Sequence, residues 1–341
     1  MMPYKVVRFR IGGKDSGASQ YERQIDNALG RESDEYSYIV KDIESYKFLP
    51  RFLALILFWL RAQCMLLFGR VDIVIVSPDI MLIYPTYVSI ICISHHYDPS
   101  VIKGIRLIYV KISNWLFISQ SSRVDVVVTC SKYWSSYYEA KGFRVVTTIY
   151  CGFDVKAMDH SLVSLDNSLV LNRFNLIRKE YLHLGSFGPG KGQKIAIQAL
   201  KGLEFPMIAT SSAKGVFMNN LQDIQYVNAS FNEYNILLKN AKAVICMSEF
   251  EEGWCRVLHE AAIHGTPILG SGLGGMNELL EIGGFIPSSV DTLIDDLDFR
   301  TSEDSLSREK VESYRTFTLD SFYDGWRCCV GDLMESQVKN V

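Results

Sequence analysis

The residues from Ala243 to Gly275 leave few folds open. Ala243 to Met247 is an unbroken apolar run, as expected of a parallel strand buried on both faces. After a loop, Ala261, Ala262 and Ile263 continue a helix, and Gly265 and Pro267 stop it. Ile268 to Gly270 reads as the next strand, and the turn Gly272 to Gly275 leads into a helix beginning near Asn277. Strand, loop, helix, strand, loop and helix in this order specify an open, parallel α/β sheet. In such sheets ligands sit at the loops leaving the carboxyl ends of the strands.

Those loops carry chemistry. Glu252 lies in the first, Glu278 opens the last helix, and seven residues separate Glu252 from Glu260. Carboxylates accept hydrogen bonds from sugar hydroxyls. Backbone N–H groups at helix N-termini hold phosphates, and Gly253, Gly274 and Gly275 let the backbone come close. Glu260 is expected two helical turns beyond Glu252, about 12 Å along the axis. The two carboxylates then suit two parts of a long ligand. A lone glutamate pair is usually an exposed helix face; the glycines at these places favour a site.

A second loop, Gly185 to Gly192 (GSFGPGKG), follows the strand Tyr181 to Gly185 and precedes a helix from Gln193 to Leu200. Its glycines and Lys191 suit a phosphate; a solvated lysine is the plain alternative. Nearer the N-terminus, Tyr4 to Ile11 reads as a strand, followed by Gly12 and Gly13 and a helix from Ser19 to Leu29. Further strands are expected at Ile73 to Val76, Val88 to Ile93, Val124 to Thr129 and Val145 to Ile149. His95, His96 and Asp98 follow the second of these; a histidine there is either packed structure or a catalyst. Residues 155–178 are polar and weakly patterned, as in a crossing between domains. Asp296-x-Asp298 could be mistaken for a metal-binding pair, but no strand leads into it, and it reads as a solvated helix face. Phe317 to Val330 reads as a final helix.

The segment 248–278 resembles the donor site of the retaining family-4 glycosyltransferases of the GT-B fold. Their hallmark is Glu-x7-Glu followed by G-x-P and a Gly-Gly-x-x-Glu turn. The resemblance implies two Rossmann-like doubly wound domains facing across a cleft, with the last helix crossing back to the first domain. The divisions would be 1–155 for the acceptor, 156–316 for the donor, and 317–341 for that helix. Glu252 would face the donor sugar and Glu260 the ribose, with Glu278 nearby. The amides of Gly274, Gly275 and Met276 would lie beside the sugar and diphosphate, with Gly253 in the same loop. Gly12 and Gly13 would approach the phosphates from the first domain. His95, with His96 behind it, would stand at the catalytic position, and Asp98 would hold the acceptor or cap a helix. Residues Ile149 to Asp154 occupy the place of the family's I-P-N-G-V-D.

The sequence departs from the pattern at three places. Cys255 replaces a glycine, Arg256 replaces an apolar residue, and Ser186 stands where an arginine normally joins Lys191 on the diphosphate. Losing a charged donor weakens such binding by roughly 1.5–3 kcal/mol, and Arg256 is the expected replacement. The resemblance implies a nucleotide-sugar donor and a saccharide or lipid-linked acceptor, with no cofactor and no metal. Two alternatives stay open: an inactive partner subunit that only binds nucleotide or membrane, or a sugar-nucleotide epimerase.

Composition supports a globular chain of two domains: 341 residues, 48% hydrophobic and 21% charged. The net charge of −3 argues against a nucleic-acid partner. It is unevenly spread: residues 1–175 carry 20 Lys+Arg against 16 Asp+Glu, and the rest carry 15 against 22. Eight scattered cysteines with no CxxC pair read as reduced, buried thiols of a cytoplasmic protein. Phe52 to Phe68 and Val101 to Phe117 are greasy, and the second carries Lys103, Arg106 and Lys111. They are either core helices or basic amphipathic helices lying on the inner face of a membrane, and the basic N-terminal half favours the second; neither is expected to span it.

Overall fold

The structure, a computed structural model, describes residues 3–10, 17–30, 34–46, 48, 50–80, 82–97, 99, 102, 104–210, 223–302 and 306–339. By internal packing the chain forms two units, one running to Gly152 and resuming at Leu319, the other spanning Phe153–Thr318.

The first unit contains β1 (Tyr4–Arg10), α1 (Gly17–Leu29), β2 (Tyr36–Asp42), α2 (Arg51–Phe68), β3 (Ile73–Val76) and β4 (Ser89–Ser94). It continues through α3 (Ile105–Ser119), β5 (Val126–Thr129), α4 (Lys132–Ala140) and β6 (Val146–Thr148). All six strands are parallel, in the order β2-β1-β3-β4-β5-β6. Every residue of β3, β4 and β5 is buried, which is why they read as IVIV, SIICIS and VVVT. The chain steps one way from β1 to β2 and the other way thereafter. Right-handed crossovers therefore put α1 on one face and α2, α3 and α4 on the other. Phe58 and Leu66 of α2, Phe117 of α3 and Trp134 of α4 share one core with Val74 and Cys92 of the sheet.

The second unit opens with α5 (Val155–Ser164) and α6 (Asn167–Arg173). The linker expected over 155–178 is therefore largely helical. Asp154 caps α5 by accepting from the Ala157 amide, and Asp166 caps α6 from Ser168 and Leu169. There follow β7 (Leu182–Ser186), α7 (Gln193–Ala199), β8 (Met207–Thr210), β9 (Gln225–Val227), α8 (Phe231–Asn240) and β10 (Ala243–Cys246). The unit ends with α9 (Arg256–Ile263), β11 (Ile268–Gly270), α10 (Gly275–Ile282), α11 (Leu293–Ser302) and α12 (Arg308–Arg315). Its five strands are parallel, in the order β11-β10-β7-β8-β9. In chain order this is 3-2-1-4-5, the doubly wound arrangement, with its reversal between β7 and β10.

Asp298 lies exposed on α11, whose Leu293 and Leu297 enter the core, so the Asp296-x-Asp298 segment is a helix face as expected. The last helix, α13 (Leu319–Lys339), runs longer than expected and belongs to the first unit. There the Tyr21 ring of α1 meets Phe322 and Trp326 edge-on at 4.9 and 6.5 Å, and Gln337 donates to Asp72 O at 3.2 Å. Cys64 and Cys328 are exposed, against the expectation of uniformly buried thiols; the other six are buried.

Candidate functional site

In a 3-2-1-4-5 sheet the natural ligand position is the carboxyl end of the first and fourth strands, here β7 and β10. The Lys191 loop leaves β7 and the Glu252 loop leaves β10, so the topology sets them side by side. Lys191 Nζ lies 2.7 Å from Glu252 Oε1. The same oxygen accepts from Ser248 Oγ at 2.5 Å. The Glu252 side chain is 7% exposed and that of Lys191 33%. The Lys191 ammonium also sits 4.8 Å from the centre of the Phe250 ring. Burial works against this ammonium, but Glu252 outweighs it and raises the lysine's pKa.

Backbone contacts bind three loops together. The Glu249 amide donates to Gly190 O at 2.8 Å, tying the β10 loop to the β7 loop. Glu252 donates to Leu273 O at 3.2 Å and accepts from the Gly275 amide at 2.8 Å, tying it to the β11 loop. Gly274, at φ +65°, passes so close that a Cβ there would lie 2.5 Å from Glu252 O. Gly192, at φ +72°, is tighter still: its Cβ would lie 1.7 Å from Met247 O.

These contacts change two expectations. The Gly275 amide, expected beside a diphosphate, is spent on the Glu252 carbonyl. The helix α9 begins at Arg256, so only the second half of the Glu252-to-Glu260 interval is helical, and an eight-residue helical rise does not apply. Gly-Trp-Cys in the loop does not extend a helix backwards, and Cys255 ends it as the N-cap residue.

Arg256 and Glu260 form a second group one turn apart on α9. Arg256 Nη2 lies 3.3 Å from Glu260 Oε1, and its guanidinium stacks 4.5 Å from the Phe153 ring centre. Tyr234 of α8 donates to the other oxygen of Glu260 at 2.7 Å. Glu260 is thus oriented by two donors. Gly253 is buried in the loop, and Met276 is fully buried with its sulfur against the Gly272 amide at 3.4 Å. Glu278 is half-buried in the first turn of α10, where a carboxylate complements the helix dipole. Ser186 ends β7, its carbonyl held by Gln193 Nε2 at 2.7 Å.

In the first unit His95 follows β4, with the Tyr21 ring edge-on at 4.8 Å and Cys130 Sγ donating to its carbonyl at 3.4 Å. Burial, then neighbouring His96 and Arg8, lower its pKa to about 3, so the ring is neutral near pH 7. Its Nε2 is buried with no hydrogen-bond partner among the described residues. His96 is exposed. Gly12, Gly13 and Asp98 lie outside the described residues.

No protein-family model and no curated protein sequence matches this chain. Solved structures do. HepE from Anabaena, in complex with UDP-glucose, matches with a TM-score of 0.69 at 15% identity, covering 96% of this chain and 99% of that one. Sucrose-phosphate synthase from Thermosynechococcus elongatus matches with a TM-score of 0.74 at 13% identity, covering 99% and 100%. A glycosyltransferase from Rickettsia africae matches with a TM-score of 0.68 at 14% identity, covering 97% and 99%. The fold is GT-B.

Several residues shaping this GT-B site escape sequence reading. Ser248 and Tyr234 hold the two glutamates, and Gln193 clamps the β7 loop through the carbonyls of Leu184 and Ser186 at 3.2 and 2.7 Å. The one legible signal was Ser230-x-x-Glu233, a capping box that fixes the start of α8 and so aims Tyr234. Cys255 hydrogen-bonds with Cys246, whose thiol is pushed well up by that bond and by burial. Arg8, 1% exposed in β1, pairs with Asp26 at 2.5 Å and Glu22 at 3.3 Å, a buried charge that the strand's apolar pattern hides.

Proposed function

We propose that the protein transfers a sugar from a nucleotide-diphosphate donor to an acceptor hydroxyl with retention of anomeric configuration, as a family-4 enzyme. One observation carries the reading: the 2.7 Å pairing of Lys191 with Glu252 at the switch point of the second sheet. There Lys191 would release Glu252 to the donor sugar hydroxyls and take up the charge developing on the departing diphosphate. The N-termini of α9 and α10 add their dipoles to the same charge. Glu260, already aimed by Tyr234 and Arg256, would accept from the ribose, and Arg256 would stand in for the arginine absent at Ser186. His95 is assigned to the catalytic position beside the donor sugar, in its neutral form. The reading assigns the leaving-group charge to protein groups and needs no metal. Similar folds crystallised with UDP-glucose support a uridine nucleotide as the first donor to try.

The acceptor is a saccharide or lipid-linked intermediate, met in the latter case at the cytoplasmic face of a membrane. Ser186 in place of an arginine favours a second reading, an inactive subunit that only binds nucleotide. Incubation with a panel of sugar nucleotides, followed by detection of released nucleoside diphosphate, separates the two. Turnover that disappears in Glu252→Gln, with NMR showing the donor's anomeric configuration in the product, supports retaining transfer. Nucleotide binding without turnover on any donor and acceptor would establish the inactive subunit.

A further inference from the structure

The helices α2 and α3 cover the same face of the first unit's sheet, and each buries only one side there. The opposite side is apolar as well. On α2, Leu57 and Leu60 are exposed by 43% and 45%, and the stripe ends at Phe68, exposed by 85%. On α3, Ile108, Ile112 and Trp115 recur at helical spacing with 59%, 51% and 69% of their surface exposed. The segment between β3 and β4 joins this surface. Gln63 of α2 donates to Ile83 O at 3.0 Å and accepts from its amide at 2.9 Å, and the Tyr87 hydroxyl donates to Leu66 O at 3.0 Å. Soluble proteins rarely leave so many large apolar side chains bare on helices of one sheet face.

Charge narrows the occupant. Neither Arg51–Phe68 nor Ile105–Ser119 contains a carboxylate, while Arg61 and Lys111 stand exposed among the apolar residues. The two helices themselves carry only cations around Leu, Ile and Trp, with the exposed Asp79 beside Tyr109 of α3, and this excess of positive charge matches a bilayer carrying anionic headgroups. No helix among the described residues is long and apolar enough to cross a membrane. We infer that the outward faces of α2 and α3 dock the protein on the surface of an anionic lipid bilayer, apolar side chains immersed and Arg61 and Lys111 at the headgroups. This inference stands on the first unit and is independent of the donor-site reading.

Co-sedimentation with vesicles of phosphatidylcholine, with and without about one third phosphatidylglycerol, tests it at low and high salt. The full chain is expected to bind the anionic vesicles, to bind neutral ones more weakly, and to release partly at high salt. Leu60→Ser with Trp115→Ser should weaken binding by about tenfold or more. Arg61→Glu with Lys111→Glu should abolish the preference for anionic lipid. All four side chains face outward, so thermal unfolding of each variant should match the parent. Glu252→Gln should bind vesicles like the parent whatever becomes of its activity. No vesicle binding, or binding unchanged in Leu60→Ser with Trp115→Ser, overturns the inference. So does a concentration-dependent dimer that dissociates in that variant without vesicles, which would assign the face to a second copy of the chain.

Discussion

The ammonium of Lys191 lies 2.7 Å from Oε1 of Glu252, although 60 residues separate them in the chain. The two are the cation expected for a diphosphate and the carboxylate expected for a sugar. In the folded chain each satisfies the other. Lys191→Met leaves a buried carboxylate with its charge less compensated and removes the loop's cation. Discounted for the lysine's partial exposure, a stability loss of about 1–2 kcal/mol is expected in urea unfolding. Affinity for a nucleoside diphosphate should fall at least about tenfold by calorimetry. Unchanged affinity would show that Lys191 is not a phosphate ligand.

Three glycines share a left-handed backbone but differ in surroundings. Gly284, at φ +67°, has nothing within 4 Å of a built Cβ, whereas Gly274 and Gly192 meet backbone at 2.5 and 1.7 Å. Gly284→Ala should cost only the conformational penalty, about 1–2 kcal/mol. Gly274→Ala and Gly192→Ala should each cost more than about 3 kcal/mol, because neighbouring backbone must move. Equal melting temperatures for all three variants would contradict the close approach of these loops.

Tyr234→Phe removes one of the donors that orient Glu260 and little else. It should cost about 1 kcal/mol of stability. If Glu260 holds the ribose, KM for the donor should rise several-fold with kcat nearly constant, since ground and transition states lose the contact alike. A fall in kcat at constant KM would place Glu260 in the chemical step instead.

Three buried histidines and the half-buried His95 act on acid stability in one direction. Burial lowers the pKa of His95 and His259 to about 3 and of His183 and His264 to about 4. Unfolded histidine titrates near 6.5. Between these values the unfolded chain binds more protons, so stability is complete above about pH 6.5 and falls as pH drops toward 4. Glu22 and Asp125, whose carboxyl pKa values burial raises, act the other way, so a histidine's share is read from the change in slope when it is replaced. His183→Gln should reduce proton uptake on unfolding at pH 5 by about one. An unchanged slope would show that His183 is not buried in neutral form.

Much of the layout of the second unit was legible because it is local. Ala243 to Met247, Gly265 and Pro267, and the glycines at 274 and 275 act through neighbouring backbone, so their order alone specifies strand, stop and turn. The strand β2 was missed because its residues are half-exposed: YSYIVKD carries neither a buried run nor a regular alternation. The helices α5 and α6 were missed because polar residues dominate 155–173, and only the caps at Asp154 and Asp166 mark their starts. The helical spacing assumed from Glu252 to Glu260 failed because a glycine and an N-cap cysteine delay α9 to Arg256.

What the sequence determined by itself was the parallel α/β class and the residue types at the carboxyl ends of the second sheet, since both follow from short-range pattern. Tertiary structure decided which of those residues meet. Lys191 reaches Glu252 because strand order places β7 beside β10. Gly275 gives its amide to Glu252 because Gly274 permits the approach, and Glu260 points where Tyr234 and Arg256 hold it. The greasy helices of the first unit resolve in the same way. Hydrophobicity alone could not say how much of α2 and α3 was core, because burial is set by what packs against a face. Only the folded sheet shows that one side of each is covered and the other left bare.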